Sequence, residues 1–241
     1  MSNQLSTLVL GSSGGIGQEV VRQLMSNNSL SITTASRRFV GNLRDTVKFI
    51  ECPDLSNTKM CESWLNQLPN FDIVINCTGA NRSSLIKNAS QSDIEYLINV
   101  NLVSNIMIVK RFVSEMLSKQ YGRIILIGSI VGSHGNIGQV TYSAAKAGLH
   151  GLVKSSVKEI ALESLKSGKM NDVTINLIEP GFVDTDMVRA VPADVLKKIL
   201  SRKPNQDLIQ PSSIAEVICG LLIPNSPFNG AILELNGGLS L

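Results

Sequence analysis

Short apolar runs alternate with longer stretches in which apolar positions recur at helical spacing along the 241 residues. Seven runs read as strands: Leu5–Leu10, Leu30–Ala35, Thr46–Glu51, Phe71–Asn76, Arg123–Gly128, Val173–Ile178 and Ala231–Leu235. Near-continuous apolar runs of this length are strands covered on both faces. Between them the pattern predicts helices over Gln18–Met25, Asn57–Leu68, Asp93–Lys119, Thr141–Leu165 and Pro211–Leu222, with a looser helical region over Met187–Lys203. Gly41–Asp45 leaves little room for a helix before the third strand. Strand–helix alternation without a linker or internal repeat predicts one α/β domain over 1–241. Its sheet is parallel and built from right-handed βαβ units.

Composition narrows the function classes. Charged residues make up 17%, aromatics 4%, and the net charge is +3 with no basic block, which leaves no footprint for nucleic-acid binding. The four cysteines (Cys52, Cys61, Cys77 and Cys219) form no Cys-x-x-Cys pair, and histidine is limited to His134 and His150. No metal site is expected, and the thiols read as reduced, in a cytoplasmic protein. Met1–Thr7 lacks the basic and apolar stretches of a signal peptide and no apolar run approaches 18 residues, so neither a leader nor a membrane span is expected.

Candidate chemistry concentrates in three places. Gly11-Ser-Ser13-Gly-Gly15-Ile16-Gly17 joins the first strand to a helix, the context in which a glycine loop cradles a pyrophosphate at a helix N-terminus. The second strand ends in Ser36-Arg37-Arg38, with no acid for a ribose 2′-hydroxyl and two arginines for a 2′-phosphate; this favours NADPH/NADP+. Tyr142 and Lys146 are four residues apart and share a helix face, where an ammonium lowers the pKa of a phenol. Ser129 follows a buried strand, where open α/β sheets place their ligands. Asp54 and Leu55 read either as residues flanking an adenine or as a helix-capping acid and a core leucine. An asparagine such as Asn101, inside a helix, can mark a local distortion. His134 reads as an exposed loop residue and His150 as one packed at a helix surface.

Together these residues resemble the short-chain dehydrogenases/reductases over nearly the whole chain, in particular the 3-oxoacyl-[acyl-carrier-protein] reductase branch. The marks are Gly11-x-x-x-Gly15-x-Gly17, Asn76-x-x-Gly79, Asn101, Gly122-Arg-Ile-Ile through Ile127-Gly-Ser129, Tyr142-x-x-x-Lys146 and Pro180-Gly181-x-x-x-Thr185. The resemblance implies a single Rossmann-type, doubly wound parallel sheet of about seven strands with helices on both faces. It implies Tyr142 as proton donor to a substrate carbonyl and Lys146 as the residue that binds the nicotinamide ribose and lowers the tyrosine pKa. Ser129 would orient the carbonyl, and Asn101 would hold a water leading to Lys146. Gly11, Ser13, Gly15, Ile16 and Gly17 would line the pyrophosphate, and Arg37 and Arg38 would meet the 2′-phosphate. Asn76 and Gly79 would support the adenosine side, and Ile178, Pro180, Gly181 and Thr185 the nicotinamide end.

The implied activity is NADPH-dependent reduction of a 3-oxoacyl thioester, carried by acyl carrier protein or CoA, in a cytoplasmic homo-oligomer, tetramer or dimer. Departures from the pattern are Leu10, Cys77-Thr78, a short region after Arg38, and a longer loop over Ser167–Asn171. Gln120 and Glu163 stand where basic residues dock the carrier, with Lys119, Lys158 and Lys166 nearby. A carbonyl or secondary-alcohol oxidoreductase of specialised metabolism is the alternative within the enzyme class. A non-catalytic NADP(H)-binding sensor or scaffold is the alternative outside it.

Overall fold

A computed structural model describes residues 4–39 and 47–239. The expectation for Gly41–Asp45 lies outside them. The seven strands are β1 (Leu5–Leu10), β2 (Leu30–Ser36), β3 (Lys48–Glu51), β4 (Ile73–Asn76), β5 (Tyr121–Ile127), β6 (Asp172–Pro180) and β7 (Ile232–Leu235). They form one sheet in the order β3-β2-β1-β4-β5-β6-β7, every pair parallel. The strand order reverses between β1 and β4, and the crevice at the carboxyl ends of those two strands is where such a sheet receives a ligand.

The apolar runs arise because the strands are covered on both sides. On β5, Ile124 and Leu126 enter a core with Phe112, Met116, Leu149 and Val153, while Ile125 and Ile127 enter a second core with Val20, Val21, Ile214 and Ile218. The first core is closed by α2 (Thr58–Gln67), α4 (Ser104–Lys119) and α6 (Val140–Ser167), the second by α1 (Gly15–Leu24) and α9 (Pro211–Gly220).

Three elements differ from expectation. The stretch predicted as one helix over Asp93–Lys119 is α3 (Gln91–Ile98), a π-helical turn (Asn99–Val103) and α4. By length and composition this helical stretch could cross a membrane, with a mean hydropathy of 1.2 over its most apolar window. Run length alone misses that. Its Leu97, Val100, Ile108, Val109, Phe112 and Met116 are instead buried within the protein itself. The loop after Ser129 contains a short helix, α5 (Ile130–His134), capped by the Ser129 hydroxyl, which accepts from the Val131 amide at 3.2 Å. The Met187–Lys203 region is α7 (Asp186–Arg189) and α8 (Ala193–Leu200), separated at Pro192, which caps the second helix.

Arg123, fully buried on β5, pairs with Asp172 at 2.6 Å and donates to the Ile223 carbonyl at 3.0 Å, tying β5 to β6 and to the chain before β7. Arg123→Ala leaves that carbonyl without its partner and the Asp172 carboxylate with only the Asn225 amide, at 3.0 Å, among the described residues. The expected cost is about 3 kcal/mol, read as a lower urea midpoint at unchanged slope.

Candidate active site

Gly11, the first residue beyond β1, sits at φ +73°, and a Cβ there would lie 2.7 Å from the backbone of Cys77 beyond β4. The two chain ends at the switch point therefore touch backbone to backbone, as only glycine permits. Gly17 is tighter still, since its Cβ would fall 2.3 Å from the Gly11 carbonyl. These contacts leave an open cradle, which tests whether a dinucleotide fits. A cavity of about 210 Å³ is lined by Gly11, Ser13, Gly14, Arg37, Asp54, Leu55 and Gly79. A second, of about 230 Å³, is lined by Gly15, Ile16, Gly17, Ser129, Tyr142, Lys146, Pro180, Gly181 and Thr185. Gly14, Cys77, Thr78 and Gly79 belong to both, so the two make one groove across the switch point. An elongated, glycine-floored groove with an arginine at one end fits a phosphorylated dinucleotide.

Most of the expected groove residues are in place, Asp54 and Leu55 among them. Asp54 also accepts from the Ser56 amide at 2.9 Å, and Asn57 rather than Asp54 caps α2. Three residues are placed otherwise. Arg38 does not line the groove; its carbonyl accepts from Ser36 Oγ at 2.6 Å. Asn76 is buried behind it, donating to Asn105 at 2.8 Å and accepting from the Thr78 amide and hydroxyl at 3.1 and 2.7 Å, so it shapes the 77–79 turn. Ile178 packs into the core against α1 and α9.

Asn101 is fully buried on the π-helical turn. Its amide nitrogen donates to the Ala80 and Leu97 carbonyls at 2.9 and 3.0 Å, and its oxygen accepts from the Ala80 amide at 3.1 Å. The side chain thus clamps the turn after β4 rather than reaching outward. A Cβ on Gly79 would lie 3.3 Å from Asn101 Oδ1 and 3.5 Å from Lys146 Nζ, so Asn101 and Lys146 meet around that glycine.

Lys146 is buried, and its Nζ donates to the Ile127 carbonyl at 2.7 Å and lies 5.7 Å from the centroid of the Tyr142 ring. Burial pulls its pKa down to about 8, against the opposing charge of Glu179. Burial likewise pushes the Tyr142 phenol up to about 12, with the neighbouring Ser129 hydroxyl pulling the other way. This reverses the lowered phenol pKa expected from the sequence. Loss of hydration at this half-buried ring outweighs its neighbours, and the ammonium is turned to a backbone carbonyl. Cys77, missed as a groove residue although it lies between the flagged Asn76 and Gly79, is also pushed up to about 12 by burial.

Ser129, Tyr142 and Gly181 also line a separate cavity of about 550 Å³ with an apolar wall of Ile137, Phe182, Met187, Val191 and Val195. Asn81 and Gln139 line it too, and Asn81 Oδ1 is buried there without a hydrogen-bond partner among the described residues. His134 lies outside, on α5, 3.2 Å from Glu234. A larger cavity, of about 820 Å³, lies near α8 and α9 and includes none of these catalytic candidates.

Gly17→Ala forces a methyl into the Gly11 carbonyl. Nucleotide binding should be lost and stability should fall by about 2 kcal/mol, as measured by calorimetric titration and urea unfolding.

The family profile described as short chain dehydrogenase matches residues 6–196. The chain is similar to a 3-oxoacyl-[acyl-carrier-protein] reductase of Rickettsia bellii, 32% identical over 240 residues, 97% of this chain and 96% of the relative. It is also similar to an acetoacetyl-CoA reductase of Allochromatium vinosum, 38% identical over 184 residues, 76% and 72% of the two chains. Among solved structures, ElxO with NADP bound shares the fold at a TM-score of 0.83 and 22% identity, covering 98% of both chains. A 3-oxoacyl-[acyl-carrier protein] reductase from Brucella melitensis does so at 0.81 and 19%, covering 100% of this chain and 92% of its own.

Proposed function

The chain belongs to the short-chain dehydrogenase family and is an oxidoreductase acting between CH–OH and C=O groups; within it, we propose an NADPH-dependent ketoreductase that converts a 3-oxoacyl thioester to the 3-hydroxyacyl product. The observation that carries this reading is the shared wall. Ser129 and Tyr142 face both the glycine-floored groove and the apolar cavity, so a carbonyl entering from the cavity meets both hydroxyls at the groove. Gly11, Ser13, Gly15, Ile16, Gly17, Arg37, Gly79, Pro180, Gly181 and Thr185 would hold the cofactor, which supplies the hydride.

The chain's own residues do the rest. Ser129 fixes the carbonyl oxygen, Tyr142 delivers its proton there, and the Lys146 ammonium stabilises the phenolate left behind. The apolar cavity takes the acyl chain. The relatives' reductase activities on carrier-bound and CoA-bound substrates support the thioester class. Incubating the protein with NADPH and either acetoacetyl-CoA or acetoacetyl-carrier protein should consume NADPH; unchanged absorbance with both would sink the reading.

One observation favours the wider carbonyl-reductase alternative. Lys119 is paired with Asp72 at 2.8 Å and Lys166 with Glu163 at 3.0 Å, so two of the cations available to dock a carrier protein are already engaged. Comparing kcat/KM for carrier-bound, CoA-bound and free ketones separates the two. Exposed Ile106 on α4 and Leu162 and Leu165 on α6 support the homo-oligomer reading, for which light scattering is the check.

Arg37 at the groove's end supports NADPH over NADH. Arg37→Ser should raise KM for NADPH about thirtyfold and leave KM for NADH nearly unchanged, as read from initial rates.

A further inference from the structure

Glu179, next to last in β6, has a fully buried side chain. Strand alternation turns it away from the core that holds Ile178 and toward α5 and α6. There Ser133 Oγ donates to its Oε2 at 2.6 Å, and His150 Nε2–H donates to its Oε1 at 2.7 Å. The order is hydroxyl, carboxylate, imidazole. The imidazole meets the carboxylate and not the hydroxyl, so the three do not form a serine–histidine nucleophile pair.

The carboxylate also presses on the strand end that carries Ser129. A Cβ on Gly128 would lie 3.1 Å from Glu179 Cγ and 3.2 Å from its Oε1. The preceding carbonyl, that of Ile127, is the one that accepts from Lys146 Nζ at 2.7 Å. A buried carboxylate and a buried ammonium thus flank the same two residues. His150 extends from Lys146 by one turn of α6 and is itself partly exposed.

We propose that Glu179, held by Ser133 and His150, is a positioning residue for the proton-transfer site: its carboxylate keeps Lys146 an ammonium and fixes the Ile127–Gly128 segment from which Ser129 projects. This rests on the ketoreductase reading for its catalytic consequence. Around Lys146 stand Tyr142, one turn earlier on α6, Cys77 beyond β4, and His150, one turn later, whose ring nitrogen is bonded to Glu179. Burial keeps Tyr142 and Cys77 in their neutral forms at neutral pH. Among the described residues this leaves Glu179 as the anion that opposes the desolvation of Lys146.

The test follows Lys146 directly, through the Nζ resonance of ¹⁵N-lysine-labelled protein, assigned by its loss in Lys146→Met. The pH profile of kcat/KM is measured in parallel. In Glu179→Gln the Lys146 midpoint should fall by about one pH unit, and the alkaline limb of the rate profile should fall with it. Glu179→Asp, which draws the carboxylate back by one methylene, should move both in the same direction by less. Unmoved midpoints in folded Glu179→Gln overturn the proposal; if that variant does not fold, an unmoved midpoint in Glu179→Asp does so. A wild-type protein that turns over no 3-oxoacyl thioester defeats the functional reading, while the resonance titration still decides the role of Glu179.

Discussion

Tyr142→Phe lowers kcat for thioester reduction by about a thousandfold and leaves NADPH binding intact. The substitution removes one oxygen from a half-buried ring and nothing from the groove floor, where Gly11, Gly15 and Gly17 remain. With its pKa pushed up to about 12, the phenol is protonated throughout the neutral range, the form a proton donor needs. What is lost is the proton delivered to the developing alkoxide, for which Ser129 alone is no substitute, since an aliphatic hydroxyl is a much weaker acid than a phenol. Initial rates at saturating NADPH, with fluorescence titration of the nucleotide, check both halves. A small fall in kcat would assign the proton to another group.

The second large effect is on pH dependence. Burial sets Lys146 at about 8 in place of the ordinary 10.5. Below that value it is an ammonium and supports the phenolate; above it the charge is gone. In the reductive direction kcat/KM, which reports the free enzyme, should be flat through neutral pH and fall tenfold per unit above about pH 8. Lys146→Met should remove that limb and lower kcat about a hundredfold across the range. A limb placed near the ordinary lysine value would mean that the amine is better solvated than its burial implies. A limb that survives in Lys146→Met belongs to another group.

The sheet was readable because its strands are short and buried on both faces, so Ile124-Ile-Leu-Ile127 announces itself without reference to anything distant. The glycine loop was readable for the same local reason. Side-chain direction was less accessible. Asn76 lies in the right motif, yet its amide turns to Asn105, far along the chain, and it works from behind the groove. The distortion suspected at Asn101 is real, but only the fold shows that it lets the amide clamp Ala80. The upward run of the phenol pKa is not legible in the sequence, because spacing on a helix does not reveal how much water the fold takes from the ring, nor that the ammonium turns to the Ile127 carbonyl. The pairing of His150 with Glu179 stayed hidden for a related reason. They are 29 residues apart and meet only when β6 lies beside α6, with no periodicity to join them.

Deuterium transfer tests the central claim most directly. The protein is mixed with a 3-oxoacyl-CoA and NADPH deuterated at the reduced carbon of its nicotinamide, and the acyl product is analysed by mass spectrometry. The account predicts a 3-hydroxyacyl product carrying deuterium at C3, formed far more slowly by Tyr142→Phe. A protein that binds the nucleotide but leaves the thioester unlabelled, or that labels it equally well without the Tyr142 hydroxyl, would contradict it.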